Sequence, residues 1–577
     1  MKTLPAVDAV IVGGGWTGLL MAQQLASRTS MSVVVLERGA PRKTSDYLDN
    51  MDELDYAIRL RMMQDISKET VTFRHSERDR ALPVRQYGSF LPGAGVGGAG
   101  EHWSGISYRY VPDSFDLLTK TKEKYGAKRL PEDHAIQDWG VSYAALEPHY
   151  TRTERLMGIS GKAGNLNGKL IEGGNIYEGP RSEEYPTPPM KMPYLAALFR
   201  DATKSLGYHP YPLPAATTSQ PYTNPDGVSR AGCSYCGYCE RYGCMIGAKS
   251  QPTNTLMPLL AKRKNFTLRP GCWVKRVTVE DGQARAVTYI DAAGEEVFQP
   301  AGIVFLASWT LNNTRLLMLS KVADPHKNLG RNLTHQISIP AATVFMEKPL
   351  NRFIGAGSAG IAMNDFDADV FDHSNVPFLR GGHIYTVCYG FRPMANFGVM
   401  PPSQKAAWGS AWKKAALDAY DRTGRISFYG EHLSYKGNVM DLDPVYKDAQ
   451  GDPLLRLTLD WRDNERNMAK FMAEKATGIA RAMGAREVTP FPGLKSYDAT
   501  RYQSTHIQGG AIMGASPESS VVNSYLQHWH ANNLFVIGSS AFPQNPSGNP
   551  TLTAMALTYR AADAIVERYV KRPGSLV

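Results

Sequence analysis

Four of the six cysteines fall in one short run, Cys233-Ser234-Tyr235-Cys236-Gly237-Tyr238-Cys239-Glu240-Arg241-Tyr242-Gly243-Cys244, a C-x2-C-x2-C-x4-C pattern. Thiolates this close on a curling loop can all point inward at one inorganic centre. The run differs from the ferredoxin pattern C-x2-C-x2-C-x3-C-P in its last interval and in its missing proline. A zinc site is the alternative reading. Zinc sites built from four cysteines usually use two CxxC knuckles separated by a longer stretch, so the compact run favours an iron–sulfur cluster on Cys233, Cys236, Cys239 and Cys244. Such clustering argues against a disulfide framework spread over the fold, and Cys272 and Cys388 read as isolated core residues.

A second pattern is suited to phosphate rather than metal. Gly13-Gly14-Gly15-Trp16-Thr17-Gly18 is a G-x-G-x-x-G turn. Gly13 allows a tight turn, Gly15 lets backbone approach a pyrophosphate at a helix N-terminus, and Gly18 permits close helix–strand packing. Glu37 can accept hydrogen bonds from the hydroxyls of an adenosine ribose. The pattern alone does not separate NAD from FAD.

Elements must hold these residues in place. The apolar run Ala9 to Val12 predicts a buried strand, Leu19 to Arg28 a helix, and Ser32 to Leu36 a second strand ending at Glu37. Together they make a βαβ dinucleotide-binding unit. A further cluster, Gly93 to Gly105, is too rich in glycine for an element interior, yet Val96, His102 and Trp103 make it a packed loop. Near the C-terminus, Asn533 to Gly538 reads as a strand, and Gly548-Asn549-Pro550-Thr551 opens a helix over Ala554 to Tyr569. Strands are also expected over Gly271 to Glu280, Ala286 to Ile290, Ile303 to Ala307, Arg425 to Gly430 and Leu454 to Leu459, with a helix over Asn467 to Met483. Tyr177 to Pro193 and Tyr208 to Pro225 read as long ordered connections.

Composition bounds the rest. The 577 residues are 43% hydrophobic and 20% charged, enough apolar material for a sizeable core and too little charge for wholesale disorder. Lys+Arg 64 against Asp+Glu 54 leaves +10, scattered without a run of like charges, so nothing demands nucleic acid. No apolar run is long enough to span a bilayer. Met1-Lys2-Thr3 leads almost directly into the first strand, so no signal peptide is expected.

The glycine fingerprint, the segment GVGGAGEHWSG, the segment HIQGGAIMG and the segment NLFVIGSSAFPQNPSGNPTLTAMAL together resemble the glucose-methanol-choline (GMC) flavoprotein oxidoreductases. The resemblance extends through most of the chain. It implies FAD rather than NAD, and an α/β fold: a discontinuous Rossmann-like FAD-binding domain with an inserted antiparallel-sheet substrate domain and an iron–sulfur loop. The FAD domain is expected over 1–45, 85–115, 230–335 and 500–577, and the substrate domain with its connections over 46–84, 116–229 and 336–499. Carried over by position, Gly13, Gly15, Gly18 and Glu37 meet the adenosine diphosphate half, with the Val274 backbone at the adenine. Gly97, Gly98 and His102 lie near the flavin, and Asn549, Pro550 and Thr551 near its ring and ribityl chain. His102 is also a candidate covalent attachment point for FAD.

The family's catalytic pair is a His with a second His or an Asn, here His506 and Asn549. An alcohol gives up hydride readily only as its O–H proton departs. A neutral His506 would accept that proton while hydride moves to flavin N5, and Asn549 would hold the same oxygen.

Most GMC oxidases lack the cysteine run. The branch that carries it resembles the FAD subunits of bacterial membrane-associated sugar and sugar-acid dehydrogenases. The wording of Gln64 to Thr72, of Pro221 to Pro225 and of the cysteine block is nearest the gluconate 2-dehydrogenases. This branch implies a [3Fe–4S] cluster on three cysteines, and the four present here leave open which three bind. It further implies a cytochrome c subunit, a small subunit bearing a twin-arginine signal, quinone as indirect acceptor, and a place on the periplasmic face of the inner membrane. The expected reaction is oxidation of a sugar or sugar acid, D-gluconate to 2-keto-D-gluconate being the first choice; fructose, glucose, sorbitol and 2-ketogluconate stand beside it. The competing readings are a soluble alcohol oxidase making hydrogen peroxide and a non-catalytic, zinc-stabilised nucleotide-binding module.

Overall fold

The computed structural model describes all residues except 49–51, 89, 353–354, 389–392, 405–407 and 503. Its first sheet has eight strands among the described residues. Phe266–Arg269, Val33–Leu36, Val7–Val12 and Glu296–Leu306 lie in that order, and Leu534–Val536 pairs with Glu296–Leu306 as well. All of these pairings are parallel, Val10 facing Val34 on one side and Val304 on the other. Parallel strands are covered on both faces, which is why Val7–Val12 and Val33–Leu36 read as continuous apolar runs. Gln283–Ile290 and Trp273–Glu280 extend the sheet as an antiparallel meander.

The Trp16–Arg28 helix packs on this sheet against the Thr551–Ala564 helix, which in turn meets Tyr143–Met157. Both N-terminal strands end where the sequence places them. The first helix starts at Trp16, earlier than its apolar pattern, because the glycine turn itself supplies the first helical residues. The C-terminal helix likewise opens at Thr551, and its last turn, Ile565–Tyr569, widens into a π-helix.

The second sheet is antiparallel and six-stranded, in the order Glu487–Pro490, Ile337–Phe345, Thr423–Gly430, Gly382–Val387, Gly360–Met363 and Tyr211–Pro212. The Asp463–Ala482 helix covers it with Met468, Met472, Ala476 and Ile479. Glu465 accepts a hydrogen bond from the Arg462 N–H at 3.1 Å, which extends this helix beyond its expected start at Asn467. Pro340 sits where the register of Ile337–Phe345 shifts between Ile339 and Ala342. A residue without an N–H is tolerated at such a bulge. A third sheet of four strands joins Val439–Lys447, Pro453–Thr458, Val71–Arg74 and Leu82–Pro83.

A short ribbon links the two large sheets. Thr334–His335 pairs antiparallel with Ile507–Gln508, His335 facing Ile507. This pairing continues by one residue, the Gln336 N–H donating to the His506 carbonyl at 3.3 Å, so Gln336 and His506 stand opposite one another.

Candidate active site

A cavity of about 850 Å³ runs between the two large sheets. Gly13, Gly15, Glu37, Gly97, Gly98, His102, Val274, His506, Asn549, Pro550 and Thr551 all line it, although they come from widely separated stretches of chain. Gly18 does not line it. A Cβ there would sit 2.0 Å from the Gly13 carbonyl oxygen, so Gly18 serves the close packing of helix on turn. A Cβ on Gly15 would meet nothing within 4 Å, and this open space lies at the N-terminus of the Trp16–Arg28 helix, which has no side-chain cap. Unsatisfied N–H groups and the helix dipole suit a phosphate there. Gly97 is held at φ +92°, with Glu101 packed where its Cβ would be. Glu37 accepts hydrogen bonds from the Gly14 and Gly39 N–H groups, both at 2.8 Å, which fixes its carboxylate at the cavity wall.

The orientation of His506 follows from its partners. The Gln336 side-chain NH2 donates to the carbonyls of Pro546, Ser547 and Gly548 at 2.9, 2.7 and 3.0 Å. That leaves its Oε1 as an acceptor, 2.5 Å from His506 Nδ1. Nδ1 must therefore carry the proton, and Nε2 keeps its lone pair. Asn549 Nδ2 donates to Nε2 at 3.2 Å. Asn545 Nδ2 holds the His506 carbonyl at 2.7 Å. Burial, and then the neighbouring His335, push the imidazole pKa down to about 3, so the ring is neutral at ordinary pH.

Four buried polar atoms of cavity-lining residues have no hydrogen-bond partner among the described residues: Trp16 Nε1, His102 Nε2, Arg241 Nε and Asn549 Oδ1. Burial also pushes His102 down to about 3, with Lys249 adding to the shift. Orphaned polar atoms of this kind, beside a glycine cradle and an uncapped helix, fit a flavin dinucleotide.

Gln336, Asn545 and Tyr429, whose ring centroid is 5.7 Å from that of His506, were not singled out from the sequence. No spacing pattern marks them; Gln336 becomes visible only through the ribbon that faces it toward His506.

The cysteine run forms a loop against the same cavity, with Glu240 and Arg241 on its wall. The Arg241 N–H donates to the His102 carbonyl at 2.6 Å. Lys249, fully buried, donates from its ammonium to the carbonyls of Glu101, Trp103, Cys239 and Tyr242 at 3.1, 2.8, 2.7 and 2.8 Å. It thus fastens the glycine-rich loop to the cysteine loop. The thiols are free, and backbone N–H groups of Tyr235 and Lys249 point at the sulfurs of Cys233 and Cys244, at 3.3 and 3.5 Å. Burial pushes Cys233 up to about 12, the other three cysteines adding to the shift, and pushes Cys239 up to about 11. Among the described residues, no three His, Cys, Asp or Glu side chains are drawn into a metal-holding group, this loop included. The donor chemistry, four soft thiols with amides aimed at sulfur, suits an iron–sulfur cluster.

GMC oxidoreductase family models match residues 194–338 and 435–558, and an NAD(P)-binding Rossmann-like domain model matches 11–41. The chain is 44% identical to the gluconate 2-dehydrogenase flavoprotein of Pantoea cypripedii, over 100% of this chain and 96% of that one. It is 27% identical to the fructose dehydrogenase large subunit of Gluconobacter japonicus, over 98% of each. A crystal structure of pyridoxine 4-oxidase from Mesorbium loti superposes with a TM-score of 0.60 at 16% identity, over 98% of this chain and 100% of that one, a likeness of fold. The chain belongs to the GMC oxidoreductase family, as an FAD-dependent enzyme acting on CH–OH groups.

Proposed function

We propose that this protein is the flavoprotein subunit of a sugar-acid dehydrogenase, with D-gluconate as first-choice substrate and 2-keto-D-gluconate as product. The observation that carries the chemistry is the locked His506: Nδ1–H on Gln336, Nε2 beside Asn549. His506 Nε2 takes the proton of the reacting hydroxyl. Gln336 keeps the ring from rotating and accepts the Nδ1–H, so the lone pair stays directed into the cavity. Asn549 Nδ2, which donates to Nε2 at rest, is placed to donate to the substrate oxygen as negative charge grows on it. A positioned base of this kind contributes roughly 10²–10⁴-fold. FAD, bound by Gly13, Gly15, Glu37, Gly97, Gly98, Val274, Pro550 and Thr551, supplies the hydride acceptor. In this reading the FAD-binding part comprises 1–45, 85–115, 230–335 and 500–577.

Cys233, Cys236, Cys239 and Cys244 would hold an iron–sulfur cluster that supplies a one-electron relay, three of them if it is [3Fe–4S]. A relay is useful only where a carrier of single electrons waits outside. The reading therefore includes a cytochrome c subunit, a small exported subunit with a twin-arginine signal, and quinone beyond them, on the periplasmic face of the membrane. Two relatives support the subunit reading: the gluconate 2-dehydrogenase flavoprotein at 44% identity and the fructose dehydrogenase large subunit at 27%. Among the described residues no helix is long and apolar enough to cross a membrane, so attachment would run through partners. Turnover of D-gluconate with ferricyanide, without peroxide in air, is expected, together with iron and acid-labile sulfide in the purified protein. Peroxide formation at the rate of substrate loss would make the protein an oxidase instead, and zinc without sulfide would remove the relay.

A further inference from the structure

Six basic side chains are buried among the described residues: Arg109, Arg181, Arg230, Lys249, Arg315 and Arg380. Four of them meet acids. Arg109 pairs with Glu147 and Glu154 at 3.0 and 2.8 Å, and Arg181 with Glu154 and Glu178 at 2.6 and 3.4 Å. Arg315 pairs with Glu69 and Asp448 at 2.5 and 2.7 Å, and Arg380 with Glu431 and Asp369 at 3.0 and 3.5 Å. Arg230 and Lys249 have no carboxylate partner among the described residues, and these two flank the cysteine run, three residues before Cys233 and five after Cys244.

The Lys249 ammonium lies 2.7 Å from the Cys239 carbonyl and 2.8 Å from that of Tyr242, both inside the run. Its backbone N–H points at the Cys244 sulfur at 3.5 Å. The Glu101 carboxylate, on the glycine-rich loop, is taken up elsewhere. It accepts from Tyr47 Oη and Gln251 Nε2 at 2.7 and 2.6 Å, and from the Thr253 N–H and Oγ1 at 3.1 and 2.8 Å. Arg230 ends the Ser229–Arg230 strand. Its guanidinium donates from Nη2 to the Met157 carbonyl, while Nε and Nη1 have no partner among the described residues. Burial opposes both charges. After burial, Cys239 and Cys244 act in favour of the Lys249 charge, and Tyr222 and Cys244 in favour of that of Arg230.

A cation taken out of water is costly unless an opposite charge meets it. The four paired arginines find that charge in carboxylates; the two at the cysteine loop face only thiols. Thiolates around an iron–sulfur group supply negative charge, and the group gains one further negative charge when it accepts an electron. Cations fixed beside it favour the more negative, reduced state.

We propose that Lys249 and Arg230 are the fixed cations that raise the reduction potential of the iron–sulfur group held by the cysteine loop. Reduced flavin gives up its two electrons one at a time; each reduces that group, which is reoxidised by an external one-electron acceptor before the second follows. This rests on the cluster proposed above and adds to it the residues that set its potential.

The test uses the holoenzyme and follows the EPR signal of the cluster as the potential is stepped with redox mediators. It compares wild type with Lys249→Met, Arg230→Met, Lys249→Arg and Arg230→Lys. Iron and acid-labile sulfide per flavin report how much cluster each variant holds. At a fixed potential the reduced-to-oxidised ratio is expected to fall about tenfold in each methionine variant, a potential lower by about 59 mV for one electron. The charge-conserving variants should stay close to wild type. A merely structural role would have the opposite sign, since a loosened loop admits water, which stabilises the more highly charged reduced state. An unchanged or raised potential in a methionine variant that keeps its iron would overturn the role of that residue. A methionine variant that loses its iron would make that residue one of assembly and overturn its part in the potential. Wild-type protein without iron and sulfide would overturn the cluster itself.

Discussion

The His506 end of the cavity and the cysteine loop, which Lys249 fastens to the glycine-rich loop, are built in opposite ways. At His506 every group that matters is oriented by another protein group: three carbonyls hold Gln336, Gln336 holds Nδ1–H, and Asn549 faces Nε2. The ring is neutral because it is buried. Its task is to take a proton, and a preoriented lone pair is what that task needs. In the cysteine loop the backbone is fastened just as firmly, but burial raises the Cys233 and Cys239 thiols away from their charged form. A thiol becomes a ligand only on losing its proton, and the charge that makes this favourable must come with the metal. One region is complete in protein groups alone; the other supplies donors and a frame.

Changes at the two ends should therefore fail differently. The largest effect is expected from His506→Ala: a drop in kcat of about 10²-fold or more, with flavin absorbance unchanged. Loss of flavin together with activity would make His506 a scaffold residue and dissolve the contrast. Cys239→Ser should lower iron per flavin while leaving the anaerobic bleaching of flavin by substrate at its wild-type rate, measured by stopped flow. Iron content equal to wild type would take Cys239 out of the ligand set. Lys249→Met leaves four buried carbonyls short of a donor, at about 1–3 kcal/mol for each group left unsatisfied. The melting temperature should fall and alkylation of the cysteine loop should speed up; a wild-type alkylation rate would mean that Lys249 does not fasten the loop.

The smallest change is a displacement in pH. His506 protonates only near pH 3, so it contributes no acid limb to kcat/KM at neutral pH. Gln336→Glu places a carboxylate against Nδ1–H, favours the imidazolium and raises that pKa. The acid limb should then move upward by about 1–2 pH units, inactivating the variant as pH falls through its new value. A profile superimposable on wild type would show that Gln336 does not set the state of the base.

Much of this architecture can be read along the chain. The βαβ unit announces itself because a strand buried on both faces is apolar throughout and a phosphate-binding turn needs glycine, as at Val10, Gly13 and Gly15. His506 and Asn549 are legible from local wording, and the cavity places them in hydrogen-bond contact across forty-three positions. Gln336 is not legible, since a single glutamine between two strands has no periodic signature and its role arises from a two-residue ribbon.

What the sequence determined by itself is whatever local backbone chemistry enforces: the dinucleotide turn, the clustering of thiols and the family to which the chain belongs. What only the tertiary structure decided is which ring nitrogen carries the proton and which lysine ties the glycine-rich and cysteine loops together. Those properties depend on hydrogen bonds and charges between residues far apart in the chain. Such partners are set by the packing of sheets and not by spacing.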